Sequence, residues 1–354
     1  MGMSGHSYIA HDAKARGVEE ANAPFVSNAL LSNRPAANLP AEHSLPAVLS
    51  YRRGLTRSQK QVGALILQAL GIAGLMLMDL ALAGAFALFW AIFTTLILWR
   101  AGLLSAGLAL HRRQTIRQID PVGTLPVYTV MVAAYKEAVM MDQLARALRR
   151  IDWPVDRLDI MVLLEEDDRE TLQAALKAGF PKGTRILTVP DGIPRTKPRA
   201  LNYGLSRAKG DFICIFDTED RPHPGQLKEA YAEFLVGDQG LACVQAPLIG
   251  ANADQAWLAA HWSVEYAVQF RLLLPALAAL KAPIAIGGTS NHFRRSHLVA
   301  AGGWDAFNVT EDADLGLRFA RLGWRVGTIT RGTLEDAPTR FSVWKNQRSR
   351  WIKG

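Results

Sequence analysis

The sequence predicts an α/β domain with a largely parallel sheet, preceded by a transmembrane helical hairpin, and three observations support this prediction. Residues 62–99 form an unusually long apolar stretch. Residues 126–354 alternate short apolar runs with amphipathic stretches, which is the pattern of strands and helices in an α/β domain. Acidic residues directly follow two of the predicted strands. The chain therefore divides into residues 1–50, 51–113 and 114–354.

The first segment carries no recognisable chemistry. Residues 1–50 are rich in Ala, Asn, Ser, His and Pro and lack a sustained hydrophobic period, so we predict that they are mostly disordered. They also lack the continuous apolar core of a secretory signal peptide. Cys214 and Cys243 both lie in apolar runs, which favours buried core residues in a reducing compartment over a disulfide.

The apolar stretch is too long for one membrane span, which needs about 20 apolar residues, and suits two. Asp79 interrupts it and marks the predicted turn. Basic residues flank it on both sides: Arg52, Arg53, Arg57 and Lys60 before it, and Arg100, Arg112, Arg113 and Arg117 after it. This distribution predicts a multi-pass protein of the inner (cytoplasmic) membrane with its α/β domain in the cytoplasm. The alternative is a buried hairpin of a soluble protein, but such apolar continuity exceeds that of ordinary core helices.

The chain is basic, with a formal net charge of +8. Nucleic acid, a membrane surface and a phosphorylated substrate all attract such a chain. The cations cluster beside the apolar stretch and around residues 197–199, before a predicted helix. This placement favours a lipid bilayer and a phosphate group as partners, and we expect no nucleic acid binding.

Acids follow the second and fourth predicted strands of the α/β domain. The second strand, L-D-I-M-V-L-L, ends in Glu165, Glu166, Asp167 and Asp168, and the fourth, D-F-I-C-I-F, ends in D-T-E-D at residues 217–220. In open sheets of this kind, ligands bind at the carboxyl ends of the strands. Three acids in four positions repel one another unless a cation lies among them, and hard divalent ions prefer carboxylate oxygens. A solvated acidic turn is the alternative.

Three further motifs complete the domain. Lys197 and Arg199 in T-K-P-R-A-L-N precede a helix start, where free N–H groups favour a diphosphate, although basic residues before helices are common. T-E-D-A-D-L, residues 310–315, opens a predicted helix, where Thr310 as N-cap and acids in the first turn would stabilise the helix alone. G-G-T-S-N-H-F-R-R-S, residues 287–296, is interpreted as a polar loop without a metal site.

The order and spacing of these motifs, from A-A-Y-K-E at residues 133–137 to Q-x-x-R-W at the end of the chain, resemble the family 2 glycosyltransferases. The resemblance is greatest to the membrane-bound branch that includes the catalytic subunits of cellulose synthase and poly-β-1,6-N-acetylglucosamine synthase. It covers about residues 120–354 and implies a GT-A fold, which is a Rossmann-like glycosyltransferase domain that binds a nucleotide-sugar at the carboxyl edge of its sheet.

The resemblance also implies a role for each motif. The residues expected to bind substrate on the donor side are Tyr135 and Glu137 near uracil and ribose, Glu165 and Glu166 at the second acidic site, and Lys197 and Arg199 beside the pyrophosphate. Those expected to hold Mg²⁺ or Mn²⁺ are Asp217 and Glu219, the expected general base is Asp312, and those expected on the acceptor side are Gln347, Arg350 and Trp351. Positions three and four apart share a helix face, which suits this last set.

The resemblance thus implies an inverting, metal-dependent hexosyltransferase that moves a hexose from a UDP-sugar to a growing polysaccharide at the cytoplasmic membrane face. Transfer of one sugar to a lipid-linked acceptor is one alternative, and a catalytically silent nucleotide-sugar sensor is another. Members of this branch usually continue beyond Q-x-x-R-W into further membrane spans, so we expect the chain to be a fragment of a longer protein.

Overall fold

The structure is a computed structural model that describes residue 45 and residues 54–76, 78–113 and 124–353. The predicted disorder of residues 1–50 therefore lies almost wholly outside the described residues. The helices are α1 (Arg57–Met76), α2 (Met78–His111), α3 (Met141–Leu148), α4 (Arg169–Lys177), α5 (Lys197–Leu205), α6 (Gln226–Val236), α7 (Trp257–Val268), α8 (Leu274–Ala279), α9 (Arg295–Ala300), α10 (Glu311–Arg321) and α11 (Phe341–Lys353). The strands are β1 (Tyr128–Ala134), β2 (Leu158–Glu165), β3 (Arg185–Val189), β4 (Phe212–Phe216), β5 (Arg221–Pro222), β6 (Leu241–Gln245), β7 (Leu248–Gly250), β8 (Asn291–Arg294), β9 (Arg325–Thr328) and β10 (Thr333–Glu335).

The main sheet has seven strands in the order β3-β2-β1-β4-β8-β6-β9. The first four of these are parallel to one another, and so are β6 and β9. All seven residues of β1 are buried, which is why this strand reads as a continuous apolar run. Alternate side chains serve opposite faces: Val130 and Val132 pack in one core cluster, and Met131 and Ala133 in the other. The predicted α/β class with a parallel-dominant sheet is confirmed.

Strand β8 is where the sequence interpretation was wrong. Residues 291–294, interpreted as part of a polar loop, form an antiparallel strand between β4 and β6 at the centre of the sheet. The strand is tolerated there because Asn291 and His292 find hydrogen-bond partners inside the protein. Polar composition therefore concealed a central strand.

A second sheet of three strands, in the order β5-β10-β7, lies beside the acidic turn. Strand β5 begins directly after Asp220, and β10 pairs with it antiparallel, with Leu334 opposite Arg221. This pairing brings Glu335, at the end of β10, towards the acids of residues 217–220. Their charges, together with burial as the larger cause, raise the pKa of Glu335 well above its usual value.

Helices α1 and α2 occupy both halves of the long apolar stretch. Asp79, where the sequence predicted a turn, is helical and belongs to the first turn of α2. Among the described residues, only Leu82–His111 is long and apolar enough to cross a membrane, and most of its apolar side chains are exposed. The polar first turns of α1 shorten its apolar part. The multi-pass placement is therefore not supported, and one candidate span stands.

The end of α2 packs against the α/β domain. Leu103 is buried in a cluster with Leu273, at the end of the π-helical turn Gln269–Leu273 that joins α7 to α8. Gly107 approaches this turn so closely that an added Cβ would lie 2.2 Å from the carbonyl oxygen of Leu272. Because only glycine permits that contact, Gly107 allows α2 to pack closely against the domain at this point.

Candidate active site

Lys197 and Asp217 meet at the carboxyl edge of the main sheet. Lys197 begins α5, and its Nζ donates to Asp217 Oδ1 and, at 2.9 Å, to the carbonyl oxygen of Gly288. Burial alone would lower the pKa of Lys197, but the charges of Asp217 and Glu311 outweigh it and hold this pKa above its usual value. The lysine is therefore a fixed cation beside the acidic turn, and its role beside a pyrophosphate stays a prediction.

The acidic turn is held in shape by its own third acid. Asp220 is fully buried and accepts a hydrogen bond from the backbone N–H of Asp217 at 2.7 Å and another from the Thr289 hydroxyl. Its other oxygen, Oδ1, is buried and has no hydrogen-bond partner among the described residues. Burial and the charge of Asp217 raise the pKa of Asp220. A buried carboxylate oxygen without a hydrogen-bond partner, beside other acidic side chains, fits a site that binds a cation.

Glu219 stands apart from this scaffold. Its side chain is exposed, and its backbone carbonyl accepts from Gln143 at 3.1 Å. Within the described ranges, no group of three acidic, histidine or cysteine side chains is close enough to hold a metal ion by itself. The pairing of Asp217 and Glu219 as metal ligands stays a prediction.

Glu137 lies against the acidic turn. Its Oε2 accepts from the Thr218 hydroxyl at 2.6 Å, and its backbone N–H donates to Thr171 Oγ1 at 3.0 Å. Desolvation, with the nearby charge of Asp217 as a smaller cause, raises the pKa of Glu137 to about 7. The hydrogen bond between Glu137 and Thr218 thus connects the A-A-Y-K-E motif to the acidic turn that follows β4.

Tyr135 is surrounded by charge. Its hydroxyl donates to Asp167 at 3.2 Å, and Arg195 donates to the same carboxylate at 2.6 Å. The Arg195 guanidinium lies 5.7 Å from the centre of the tyrosine ring, and Lys136 Nζ lies 5.0 Å from it. The acid beside Tyr135 is therefore Asp167 rather than either predicted glutamate. Sequence reasoning did not select Arg195, although it directly precedes T-K-P-R.

Glu165, Glu166 and Arg199 contact other protein groups, so their predicted roles in substrate binding stay predictions. Glu165 ends β2 with its side chain buried and forms an ion pair with Arg199 at 3.2 Å, and Arg199 also donates to the carbonyl oxygen of Pro190. Burial, partly offset by Arg199, raises the pKa of Glu165. Glu166 is exposed and accepts from the backbone N–H of Asp191 at 3.1 Å. In this structure these residues brace the ends of β2 and β3.

Asp312 lies in the first turn of α10, close to the loop that holds Lys197. A Cβ added to Gly288 would lie 3.3 Å from Asp312 Oδ2, so the carboxylate rests against this glycine. Its Oδ1 accepts from the backbone N–H of Ala313 at 2.8 Å. Burial raises the pKa of both Asp312 and its neighbour Glu311. Thr310 occupies the N-cap position, but its side chain makes no capping hydrogen bond.

The C-terminal motif is helical, as its spacing suggests, and forms part of α11. Arg350 and Trp351 are exposed, whereas Gln347 is partly buried and its Oε1 has no hydrogen-bond partner among the described residues. The helix contacts the domain through Arg348 instead, which pairs with Glu265 on α7. Sequence reasoning missed this residue because it selected only the spaced positions of the motif.

The sequence profile described as Glycosyltransferase like family 2 matches residues 126–354. The chain belongs to this glycosyltransferase family. The match begins just before β1 and includes every site residue described above, so the predicted family membership is confirmed.

Curated relatives agree with this membership. The chain is 29% identical over 237 residues to the probable glycosyltransferase YdaM of Bacillus subtilis, which covers 65% of this chain and 55% of the relative. It is 26% identical over 245 residues to the probable glucomannan 4-beta-mannosyltransferase 9 of Oryza sativa subsp. japonica, which covers 66% of this chain and 46% of that protein. The chain thus spans about half the length of these relatives.

A solved structure shares the fold. The mannosyltransferase PcManGT from Pyrobaculum calidifontis, solved in complex with GDP-Man and Mn²⁺, superposes with a TM-score of 0.53 at 22% identity. The superposition covers 72% of this chain and 71% of that one. This likeness confirms the GT-A fold that the motifs imply.

Proposed function

We propose that this glycosyltransferase domain is an inverting, divalent-metal-dependent hexosyltransferase that moves a hexose from a nucleoside diphosphate sugar to a carbohydrate acceptor. One observation carries the proposal. The Gly288 loop contacts both the candidate base, Asp312, and the lysine that binds Asp217. A proton acceptor and a site for a diphosphate are therefore adjacent, as a displacement at the sugar C1 requires.

Asp312 acts on the acceptor. Its carboxylate takes the proton from the attacking hydroxyl, which adds to the sugar C1 on the face opposite the diphosphate. The bond from C1 to the diphosphate oxygen breaks, and the electron pair leaves with the nucleoside diphosphate, so the configuration at C1 is inverted. The raised pKa that burial gives Asp312 strengthens it as a base.

Fixed positive charge serves the leaving group. Lys197 is already aimed at the acidic turn and neutralises the charge that develops on the diphosphate. Asp217 and Glu219 would hold the divalent cation, with the unpartnered oxygen of Asp220 close by. A bound Mg²⁺ or Mn²⁺ supplies further charge stabilisation at the same phosphate oxygens.

The donor is a nucleoside diphosphate hexose, and two classes compete. The motif resemblance favours a UDP-sugar, whereas the Pyrobaculum calidifontis mannosyltransferase is bound to GDP-Man and the plant relatives are named mannosyltransferases. Tyr135 with Arg195 and Asp167 supplies an aromatic face and hydrogen-bonding groups that suit a nucleotide base.

A donor screen tests the proposal. The full chain in lipid nanodiscs is incubated with GDP-mannose, UDP-glucose, UDP-galactose or UDP-N-acetylglucosamine, with Mn²⁺ or Mg²⁺, and nucleoside diphosphate release is measured. We expect release with one donor class, abolished by EDTA and restored by metal. Nucleotide binding without release from any donor, with mannotetraose and cellotetraose present as acceptors, would identify a silent sensor instead.

The acceptor is proposed to be a polysaccharide assembled at the membrane, because α2 is an exposed apolar helix fastened to the domain at Gly107. Two measurements test whether the acceptor is a polysaccharide assembled at the membrane. The chain should remain in the membrane pellet after alkaline carbonate extraction, and the product should migrate as a polymer on a gel. A product of one sugar on a lipid carrier would favour the alternative acceptor.

A further inference from the structure

Arg348 fastens the C-terminal helix α11 to α7. Its guanidinium donates to both carboxylate oxygens of Glu265, Nη1 to Oε1 at 2.8 Å and Nη2 to Oε2 at 2.5 Å. The Arg348 side chain is 21% exposed and that of Glu265 is 41% exposed, so the pair is partly shielded from water. Two parallel hydrogen bonds fix orientation as well as distance, which a lysine cannot do.

Aromatic rings hold the guanidinium on two sides. Its carbon lies 4.4 Å from the ring centre of Trp351 and 5.5 Å from that of Trp344. These three residues recur at intervals of four and three along α11, so they form one stripe on the helix. Trp344 itself packs against a buried cluster that contains Trp262 of α7. The stripe, rather than Arg350, is the face of α11 that contacts the domain.

Helix α7 connects this stripe to the reacting groups. Tyr266, next to Glu265, stacks on Trp262 with ring centres 3.5 Å apart and contacts Phe270 at 5.4 Å. An added Cβ at Gly287 would lie 3.1 Å from the Phe270 ring. The next residue, Gly288, is the one that contacts both Asp312 and Lys197. The ion pair is therefore connected to the candidate base through Tyr266, Phe270 and the Gly287–Gly288 segment.

We propose that Arg348 is a positioning residue for the acceptor: its two hydrogen bonds to Glu265 hold α11, and with it Gln347 and Trp351, beside the active site. The inference rests on the proposed function for its meaning. The guanidinium covers one face of Trp351, which leaves the other face and the ring edge for a sugar. Arg348 has no direct contact with the reacting groups and acts only through the placement of α11.

Transfer kinetics with matched variants test the proposal. Arg348→Ala, Arg348→Lys, Glu265→Ala and the exchange Glu265→Arg with Arg348→Glu are compared in the full chain, with mannotetraose or cellotetraose as acceptor. We expect Arg348→Ala to lower kcat/KM for the acceptor about ten-fold, which corresponds to about 1.4 kcal/mol of lost coupling. Lys345→Ala removes a cation from an exposed position of the same helix and should change nothing.

The pattern across variants distinguishes positioning from general stability. Arg348→Lys should fall between wild type and alanine, the exchanged pair should recover part of the loss, and the Kd of the nucleoside diphosphate should stay unchanged. Equal acceptor kcat/KM in Arg348→Ala and wild type would overturn the proposal. So would an exchanged pair no better than Glu265→Ala, or a nucleotide Kd that rises with the acceptor KM.

Hydrogen exchange separates failure of this inference from failure of the proposed function. If the wild type releases nucleoside diphosphate from no donor, the proposed function is lost, but the amides of α11 still report on the contact. Faster exchange of α11 in Arg348→Ala, and not in Lys345→Ala, supports the attachment. Identical exchange in the two variants overturns it.

Discussion

The donor and acceptor sides of the active site balance their charges differently. On the donor side, carboxylates and cations are joined in the ion pairs Lys197–Asp217, Arg199–Glu165 and Arg195–Asp167. On the proposed acceptor side, Glu311 and Asp312 have no ion-pair partner in the part of the chain that the structure describes, and burial raises the pKa of each.

This difference suits the two substrates. A diphosphate brings negative charge, so cations held in place by carboxylates can bind it without reorganisation. An acceptor hydroxyl is neutral and needs a base. Burial gives Asp312 a raised affinity for a proton, and the nearby charge of Lys197 offsets this only in part. The comparison predicts that loss of the candidate base damages the chemical step, whereas loss of the groups around Tyr135 damages nucleotide binding.

Asp312→Asn should have the largest effect. Asparagine preserves the shape but cannot take a proton, so transfer should fall by about 10³-fold, within the usual contribution of a general base. Nucleotide binding should persist, because the Tyr135 surroundings are untouched. Product formation by Asp312→Asn and the Kd of the nucleoside diphosphate measure the two quantities separately.

A matched change gives the control for this prediction. Asp254→Asn makes the same chemical change at an exposed position in the loop after β7 and should transfer at the wild-type rate. Wild-type transfer by Asp312→Asn would remove Asp312 as the base and leave the charge comparison without its catalytic meaning.

Asp217→Asn should have the next largest effect and should alter the metal response. The substitution removes a proposed metal ligand and the partner of Lys197. We expect transfer to fall about 100-fold, similar to the loss of one electrostatic stabilising group elsewhere. In a titration with Mn²⁺, the variant should need a higher Mn²⁺ concentration than wild type for half-maximal transfer. An unchanged Mn²⁺ titration would place the metal elsewhere.

Arg195→Ala tests the donor side and should affect binding more than chemistry. The residue bridges Asp167 and the Tyr135 hydroxyl, at 2.6 and 3.2 Å. Its loss should weaken nucleoside diphosphate binding about ten-fold, the size expected for a group hydrogen-bonded to a charge. Calorimetry measures this Kd, and kcat at saturating donor should change little.

Arg207→Ala is the control for the loss of an arginine stacked on a tyrosine. Arg207 lies 3.5 Å from the Tyr203 ring centre, outside the site residues described above. Nucleotide binding should be unaffected in this variant. If Arg195→Ala lowers kcat and leaves the Kd of the nucleoside diphosphate unchanged, the division between a binding side and a chemical side is wrong.

The sequence predicted the order of the motifs but not every residue within them. β1, β2 and β4 are apolar runs followed by polar loops, so the acids after β2 and β4 were expected at one edge of the sheet, where they are found. Which acid of four consecutive ones approaches Tyr135 depends on how the chain turns after β2, and spacing does not encode this. Asp167 was therefore missed as its partner.

Contacts between distant segments were equally hidden. Arg348 acts through Glu265, and Gly288 contacts both Asp312 and Lys197; these pairs become neighbours only when α7, α10 and α11 pack. The polar residues of β8 were misread because hydrogen bonding inside the protein compensates for their polarity. A sequence pattern shows which residues are polar, but not whether the folded protein provides hydrogen-bond partners for them.

The last prediction concerns His292 and stability rather than activity, and it has the smallest expected effect at neutral pH. It lies on β8, which pairs with β4 on one side and β6 on the other. Its Nε2 lies 3.2 Å from Gln226 Oε1, which can only accept, so Nε2 carries the proton and the Tyr128 hydroxyl donates to Nδ1 at 2.7 Å. Burial lowers the pKa of His292 to about 3.

This lowered pKa makes stability depend on acid. The folded state keeps His292 neutral, whereas the unfolded chain binds a proton below a pH of about 6.5, so the stabilisation is complete above that pH and is lost as the pH falls towards 3. Between pH 7 and pH 5, wild type should lose about 2 kcal/mol of unfolding free energy through this group. His292→Gln should be less stable at pH 7 but show a flatter dependence, measured by urea denaturation. His261→Gln, at an exposed position, should retain the wild-type slope. If the unfolding free energy depends on pH equally in all three proteins, the neutral state of His292 does not contribute to this dependence.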